Sequence, residues 1–322
     1  MNGLNTPPPH PEGGGVYTVD TGFQRPAFDA AYLVLDAGEA AFIDSGTSLS
    51  VPRLLAALEH LGLARSQVRW IIPTHVHLDH AGGVGELLSH LPQAQVVVHP
   101  KGLRHLVEPQ MLWQGATAIY GNAEMQRSYG HVRPVPRTRI QPSEDGELLP
   151  LGRRHLTLID TPGHARHHHC IWDPVTEGWF TGDTFGISYR ELDVQGQAWI
   201  LPSSTPVQFD PVALAASWQK LLAPQPQCVY LTHYGRLGDV ARLAAQQSEL
   251  LAEVVRLGEA CQGLDAPEAA LRAGLAQIYL QSLRAHGHTD SDERLLEALA
   301  VDIQLNSQGM AVWLKTRQGA ST

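Results

Sequence analysis

Short apolar runs broken by glycine, proline and polar turns fill the first two thirds of the chain, and apolar residues at helical spacing fill the rest. Val16 to Asp20 reads as a short strand. Ala30 to Leu35 and Ala40 to Ile43 are two β-rich runs joined by Asp36-Ala37-Gly38-Glu39, a hairpin signal. After the turn Asp44-Ser45-Gly46, Ser50 is placed to cap a helix with Pro52 in its first turn and Leu54, Leu55, Leu58 and Leu61 on its apolar face. Val68 to Ile72 predicts a strand, Gly82 and Gly83 lead into a helix ending near His90, and Val96 to Val98 is strand again. Lys101 to Tyr129 predicts mostly helix. Its stripe of Met111, Leu112, Trp113, Ile119, Tyr120 and Met125 is read first as core and second as a pocket wall, because apolar residues at helical spacing usually pack inward. Arg133 to Asp145 is a polar, proline-containing connector.

Strands return at Leu156 to Ile159, Cys170 to Trp172, Trp179 to Thr181 and Cys228 to Leu231. The alternation of strand, loop and helix indicates a layered α/β or α+β domain over 16–238. Residues 239–322 predict three helices: one capped by Asp239, one opened by Pro267, and one opened at Asp290 to Glu293 and running through Leu305. This helical region is a candidate dimer surface. The Pro- and Gly-rich stretch 1–15 lacks the apolar segment of a signal peptide and is expected to be a disordered tail.

The chemistry concentrates where apolar runs end. Trp70-Ile71-Ile72 leads into Thr74-His75-Val76-His77-Leu78-Asp79-His80, three imidazoles and a carboxylate within six positions. A loop leaving a strand can fold such a cluster onto one point, and imidazole nitrogen with carboxylate oxygen suits zinc, iron or manganese. Three further runs end in the same kind of residue: Leu156–Ile159 leads to Thr161-Pro162-Gly163-His164, Trp179–Thr181 to Gly182-Asp183, and Val229–Leu231 to Thr232-His233. Strand ends that deliver ligands into shared loops are how a rigid scaffold builds a site.

The rest of the composition narrows the setting. The formal net charge of −9 argues against a nucleic-acid partner, which needs Lys and Arg for phosphates. Cys170, Cys228 and Cys261 are odd in number and widely spaced, so they make no disulfide framework; the first two read as core thiols. No apolar run approaches the ~20 residues that span a bilayer. Together these point to a cytoplasmic protein with a small-molecule substrate and no membrane partner.

These motifs resemble the metallo-β-lactamase-fold hydrolase superfamily over roughly residues 16–238. The matching residues are His75-x-His77-x-Asp79-His80, His164 in Pro-Gly-His, Asp183 in Gly-Asp-Thr, His233 in Leu-Thr-His-Tyr, and Asp44 in Ile-Asp-Ser-Gly. The resemblance implies an α+β fold, an αββα sandwich with metals at one edge of the two sheets and the C-terminal helical region outside that core. It implies two metals, the first held by His75, His77 and His164, the second by Asp79, His80 and His233, with Asp183 as the bridge. Seven neutral or anionic ligands exceed one tetrahedral ion and suit two ions ~3.5–4 Å apart sharing a water. Zinc is the default, and iron or manganese fits the same donors. Asp44 is expected to orient an imidazole, with plain turn chemistry as the alternative. Asp183 resembles the glyoxalase II, lactonase and phosphodiesterase branches; classical β-lactamases lack a carboxylate there.

The leading expectation is a dinuclear metal hydrolase acting through a bridging hydroxide on a carboxylic ester, thioester or lactone. A phosphodiester or phosphotriester hydrolase is the alternative, followed by a mononuclear-iron persulfide oxygenase or a non-catalytic binding protein. Asp79 is the candidate to orient the nucleophile. His167 or His168 is a candidate proton donor to the leaving group, and strand alternation would send His168 to the face opposite His167 and His169. Tyr189, with Tyr234 beside it as a second choice, is a candidate to bind a carbonyl. Phe185, Trp199, Phe209 and Met111 to Trp113 are candidates for an apolar acyl pocket, bordered by the loop Pro202-Ser203-Ser204-Thr205-Pro206.

Overall fold

The structure, a computed structural model, describes residues 6–204 and 207–319. The chain divides into two compact units. The first takes the residues up to Asp160, together with His167–Gly182 and Gln227–Gly238; the second takes Thr161–Arg166, Asp183–Pro226 and the chain from Asp239 onward.

The first unit carries two mixed sheets. One has the order β1 (His10–Gly13), β2 (Val16–Asp20), β3 (Ala30–Asp36), β4 (Glu39–Ile43), β5 (Val68–Ile72), β6 (Gln95–Val98), β7 (Ile140–Pro142). It is antiparallel from β1 to β4 and parallel from β4 to β7. The other sheet runs through β8 (Glu147–Leu151), β9 (Arg154–Asp160), β10 (His169–Asp173), β11 (Gly178–Gly182), β12 (Cys228–Leu231) and β13 (Gly235–Leu237), with only β11 and β12 parallel. The β3–β4 hairpin turns through Ala37 and Gly38, both at positive φ (47° and 86°), the twist a two-residue hairpin requires.

Side-chain alternation assigns each face of the first sheet. Ala30, Tyr32 and Val34 of β3 join Ala41 and Ile43 of β4 and Val97 of β6 against Leu149, Leu156, Leu158, Ile171, Phe180 and Tyr230 of the second sheet. At its centre Tyr32, Phe180 and Tyr230 pack ring on ring at 4.6–5.5 Å. The opposite residues, Ala31, Leu33, Ala40, Phe42, Val96 and Val98, pack with Leu54 and Leu58 of α1 (Val51–His60), Ala81 of α2 (Leu78–Ala81), Leu87 of α3 (Val84–Ser89) and Leu106 of α4 (Leu103–Val107). A parallel sheet buried on both faces explains why Trp70–Ile72 of β5 and Val96–Val98 of β6 read as unbroken apolar runs.

The second unit is helical: α7 (Pro211–Leu222), α8 (Val240–Ala260), α9 (Glu268–Ala285), α10 (Asp292–Ala298) and α11 (Ala300–Gly319), numbered after α5 (Gln110–Tyr120) and α6 (Asn122–Glu124) of the first. Its irregular segment before α7 is stitched to these helices by buried amides. Asn306 donates to Tyr279 Oη (3.0 Å) and accepts from the Ser204 N–H (2.8 Å); Gln247 donates to the Phe185 carbonyl (2.7 Å). The helical region expected over 239–322 is therefore part of a larger unit that also takes in 183–226. The α+β sandwich with C-terminal helices is the fold found. No helix among the described residues is long and apolar enough to cross a membrane.

Several expectations need correction. Residues 10–13, expected within a disordered tail, pair as β1 with β2, while residues 1–5 lie outside the described residues. Strands β7, β8 and β13 and helix α7 escaped notice. The first two begin inside or beside the proline-containing connector, β13 has three residues, and the opening of α7 was hidden among prolines. Met111, Leu112 and Trp113 do not form core: no residue of 110–118 is buried and Met111 is 63% exposed, whereas Met125 at the end of the stripe and Tyr129 are buried, and the side chains of Ile119 and Tyr120 lie outside the described ones. Periodicity defines a face but not whether anything covers it. Ser50 precedes α1 without a side-chain capping bond. The third C-terminal helix is interrupted at Leu299, between α10 and α11.

One buried guanidinium, paired with an aspartate of its own sheet, fastens the second sheet to the first. Arg154 at the start of β9 gives one nitrogen to both Asp173 oxygens (3.0 Å each) and the other to the Gly14 and Leu35 carbonyls (2.7 and 3.0 Å); the two side chains are 4% and 0% exposed. Asp173→Ala leaves that guanidinium uncompensated, so the metal-free variant is expected to lose about 3–5 kcal/mol in urea denaturation. A loss below about 1 kcal/mol would show that solvent, not Asp173, carries the charge.

Candidate metal centre

β4, β5 and β12 all end at the same edge of the first unit, and Asp44 sits one residue past β4 with φ at 58°. Its Oδ1 accepts from the Thr74 N–H (2.7 Å) and Thr74 Oγ1 (3.0 Å). Its Oδ2 accepts from Thr232 Oγ1 (2.8 Å) and from His80 Nδ1 (2.9 Å). One carboxylate thus ties together the loops after β5 and β12, and the plain-turn reading of Asp44 is set aside.

Those bonds fix which nitrogen each imidazole presents. His80 donates Nδ1–H to Asp44, so its Nε2 carries the lone pair. His233 donates Nδ1–H to the Phe28 carbonyl (2.8 Å), again turning Nε2 inward. The Asp79 Oδ2 lies 3.6 Å from His233 Nε2 and 3.9 Å from His80 Nε2. Asp79, His80 and His233 each offer a ligand atom within 4.8 Å of the others. Bonds of about 2.0–2.2 Å in a tetrahedron put donor atoms ~3.3–3.6 Å apart, so this set fits a divalent ion after a small contraction. Beside it, His75 Nε2 and His77 Nδ1 approach to 2.8 Å, and His75 Nδ1 faces Thr74 Oγ1 at 3.2 Å. The single turn of α2, with His77 at its N-cap, carries Asp79 and His80 inward within two residues.

The second unit holds the remaining two expected ligands. His164 Nε2 stands 3.6 Å from Asp183 Oδ2, and its Nδ1 meets Ser203 Oγ at 3.1 Å. Gly163 before it has φ at 132°, and a Cβ there would strike the α7 backbone at Leu214, 2.3 Å away; this is why the residue before His164 is glycine. Five of the seven residues therefore belong to one unit and two to the other.

The other expected residues separate. His167 and His168 both pack on the His75 ring, at 6.1 Å and 5.0 Å between centroids, because β10 begins only at His169 and strand alternation does not yet apply. His168 has no exposed surface, and a Cβ on Gly182 would lie 2.7 Å from its Nε2. It backs the ring of His75, with no surface open to a leaving group. His169 instead bonds the Pro73 carbonyl (2.9 Å) and Ser143 Oγ (2.9 Å). Burial pushes both His167 and His169 down to about 3, so each is a neutral imidazole. Tyr189 is also corrected: it is buried in the second unit with its hydroxyl donating to Asp302 (3.1 Å). Phe185 and Trp199 are fully buried there as well, with Trp199 Nε1 on Ser282 Oγ. Tyr234 packs at the margin of the inter-sheet core. Thr205 and Pro206 of the expected border loop lie outside the described residues.

One residue was missed. Asp29 is fully buried, and burial holds its carboxyl well above the usual range, against the pull of His233 and His80. An aspartate opening an apolar strand carries no ligand spacing, so only the structure exposes it.

The role of Asp44 can be measured. Asp44→Ala leaves the Thr74 N–H, the Thr232 hydroxyl and His80 Nδ1 without their acceptor. Affinity for zinc, measured by chelator competition, is expected to fall about 10- to 100-fold while the ligands themselves are intact. Unchanged affinity would mean that His80 holds its orientation without the carboxylate.

With this geometry in view, the comparisons with known proteins can be placed. A family model described as the metallo-beta-lactamase superfamily matches residues 25–233. The chain is 26% identical over 226 residues to the metallo-beta-lactamase fold-containing protein ST1585 of Sulfurisphaera tokodaii, covering 69% of this chain and 78% of that one. It is 29% identical to the acyl-coenzyme A thioesterase MBLAC2 of Gallus gallus, over 54% of this chain and 64% of the relative. It is 32% identical to a hydroxyacylglutathione hydrolase of Salmonella paratyphi A, and spans about half the length of that protein, 49% of each. Among solved structures, the metallo-beta-lactamase family protein TTHA1429 of Thermus thermophilus shares the fold at a TM-score of 0.63 and 21% identity, over 94% of both chains. The chain belongs to the metallo-beta-lactamase superfamily.

Proposed function

We propose that this protein is a metal-dependent hydrolase that cleaves an acyl thioester, or a related carboxylic ester or lactone, with two divalent ions, zinc foremost. The reading gives His75, His77 and His164 to one ion, Asp79, His80 and His233 to the other, and Asp183 to both. His164 and Asp183 join the set through their Pro-Gly-His and Gly-Asp-Thr motifs and the family's ligand pattern. The observation that carries the reading is the donor set of the first unit, buried imidazoles whose outer nitrogens are already committed to Asp44, Thr74 and Phe28. When bound, such ions supply a water nucleophile near neutral pH and an electrophile for a carbonyl oxygen.

The protein's own groups do the remaining work. Asp79, 24% exposed, is the carboxylate placed to orient the attacking water. A cavity of about 490 Å³ in the second unit begins at Pro162 and Gly163, next to His164. Phe209 and Trp313 wall it with rings 6.0 Å apart, a surface suited to an acyl chain. Arg166 and Arg317 on its margin suit the anionic groups of a thiol carrier. The named thioesterase and hydroxyacylglutathione hydrolase relatives support a thioester over a phosphoester. A small-molecule substrate fits the cavity, the net charge of −9 disfavours a nucleic acid, and the cytoplasm remains the compartment of this reading.

The test is an assay of zinc-loaded protein on acyl-coenzyme A esters, S-lactoylglutathione, aryl esters, lactones and bis-aryl phosphates beside Asp79→Ala. Thioester turnover is expected, falling at least ~100-fold in the variant and after chelation. Phosphodiester turnover more than tenfold faster, or one iron per chain with oxygen uptake on a persulfide, would replace the proposal.

A further inference from the structure

Asp29 opens β3, and its backbone is clamped to the His233 loop from both sides. The Ala30 N–H donates to the Thr232 carbonyl (2.8 Å), and His233 Nδ1 donates to the Phe28 carbonyl. The Asp29 carbonyl itself accepts from the Thr21 N–H and hydroxyl, both at 3.0 Å. The side chain is the opposite case: it has no exposed surface, and neither oxygen has a hydrogen-bond partner among the described residues.

A native fold rarely buries a carboxyl group without a donor, because its desolvation is then uncompensated. The Arg154–Asp173 pair and the four bonds to Asp44 show how this chain treats its other buried acids. The charged groups that Asp29 senses are His233, His80, Asp79 and Asp44. Three of these are the ligand set of one metal position, and the fourth orients a member of it. The natural partner for such an oxygen is therefore a cation that enters from outside the protein.

We infer that Asp29 is the counter-charge of the Asp79–His80–His233 metal position, a buried carboxylate satisfied by the bound ion instead of by a protein donor. This rests on the two-ion reading above. Asp29 is thus a positioning residue for the metal, and it makes that position more anionic than the seven motif ligands alone would.

The experiment titrates metal-free wild type, Asp29→Asn and Asp29→Ala with zinc against a chromophoric chelator, with the far-ultraviolet circular dichroism and Tm of each metal-free protein recorded. Wild type binding two equivalents upholds the two-ion reading, and binding fewer overturns that reading by itself. Given two equivalents, the inference expects one of them to lose about 10- to 100-fold in both variants, with the other unchanged. It also expects the Tm of metal-free Asp29→Asn to equal or exceed wild type, since no protein donor loses its acceptor. Wild-type affinity for both ions in the two variants overturns the inference. So does a lowered Tm in metal-free Asp29→Asn, the mark of a purely structural hydrogen bond.

Discussion

The Asp44 carboxylate is the constraint on which the first unit's site depends. Four bonds from three residues converge on it: two from Thr74, one from Thr232 and one from His80. These residues follow β5 and β12, which lie in different sheets. Their register is otherwise set only by the inter-sheet core, and apolar packing holds faces together without fixing loop atoms to tenths of an ångström. A carboxylate accepting from both loops does fix them, and buried among donors it has no competing solvent. The positive φ of Asp44 is what turns the side chain back from the strand edge into that position, a conformation aspartate tolerates better than most residues.

The consequence reaches the ligand nitrogens. An imidazole can bind a cation through either nitrogen, and a loop of free histidines would sample both. Here His80, His233 and His164 each have Nδ1 occupied, by Asp44, Phe28 and Ser203, and His75 by Thr74. His77 alone turns its Nδ1 toward a neighbouring ligand nitrogen, as the N-cap position of α2 requires. The cost of orienting the rings is met during folding, so metal binding need not supply it. His168 serves the same end by mass instead of by hydrogen bond. Its ring stacks on His75 beneath Gly182, where no larger residue fits.

How much of this the sequence announces depends on how local each signal is. The ligand motifs are legible because each is a strand end followed at once by its chemistry, and chain connectivity places the ligand. The αββα character is legible because apolar alternation and unbroken runs report on burial. What escapes is whatever depends on a partner distant in sequence. Met111, Leu112 and Trp113 have the spacing of core, yet none of them is buried. Tyr189 has the position of a substrate contact, yet its hydroxyl is spent on Asp302, 113 residues away. His168 follows strand alternation only if the strand has begun, and pairing with β9 starts one residue later. The division of the chain into units is likewise invisible, since 161–166 and 183–226 leave the strand pattern only briefly before joining the helices.

Asp29 and Asp44 make the contrast sharpest. Both are aspartates at strand ends, both are buried, and both feel the same histidines. Asp44 is surrounded by donors that the protein provides, and its place in the fold would make sense if no metal ever bound. Asp29 is buried with neither oxygen bonded by a donor among the described residues, and its backbone carbonyl is held by Thr21. A fold selected for stability alone would replace it with an apolar residue of similar volume, because an uncompensated carboxyl group only subtracts from stability. Its retention in this sequence is therefore best explained by a state in which a positive charge is present, and the nearest groups able to hold one are Asp79, His80 and His233.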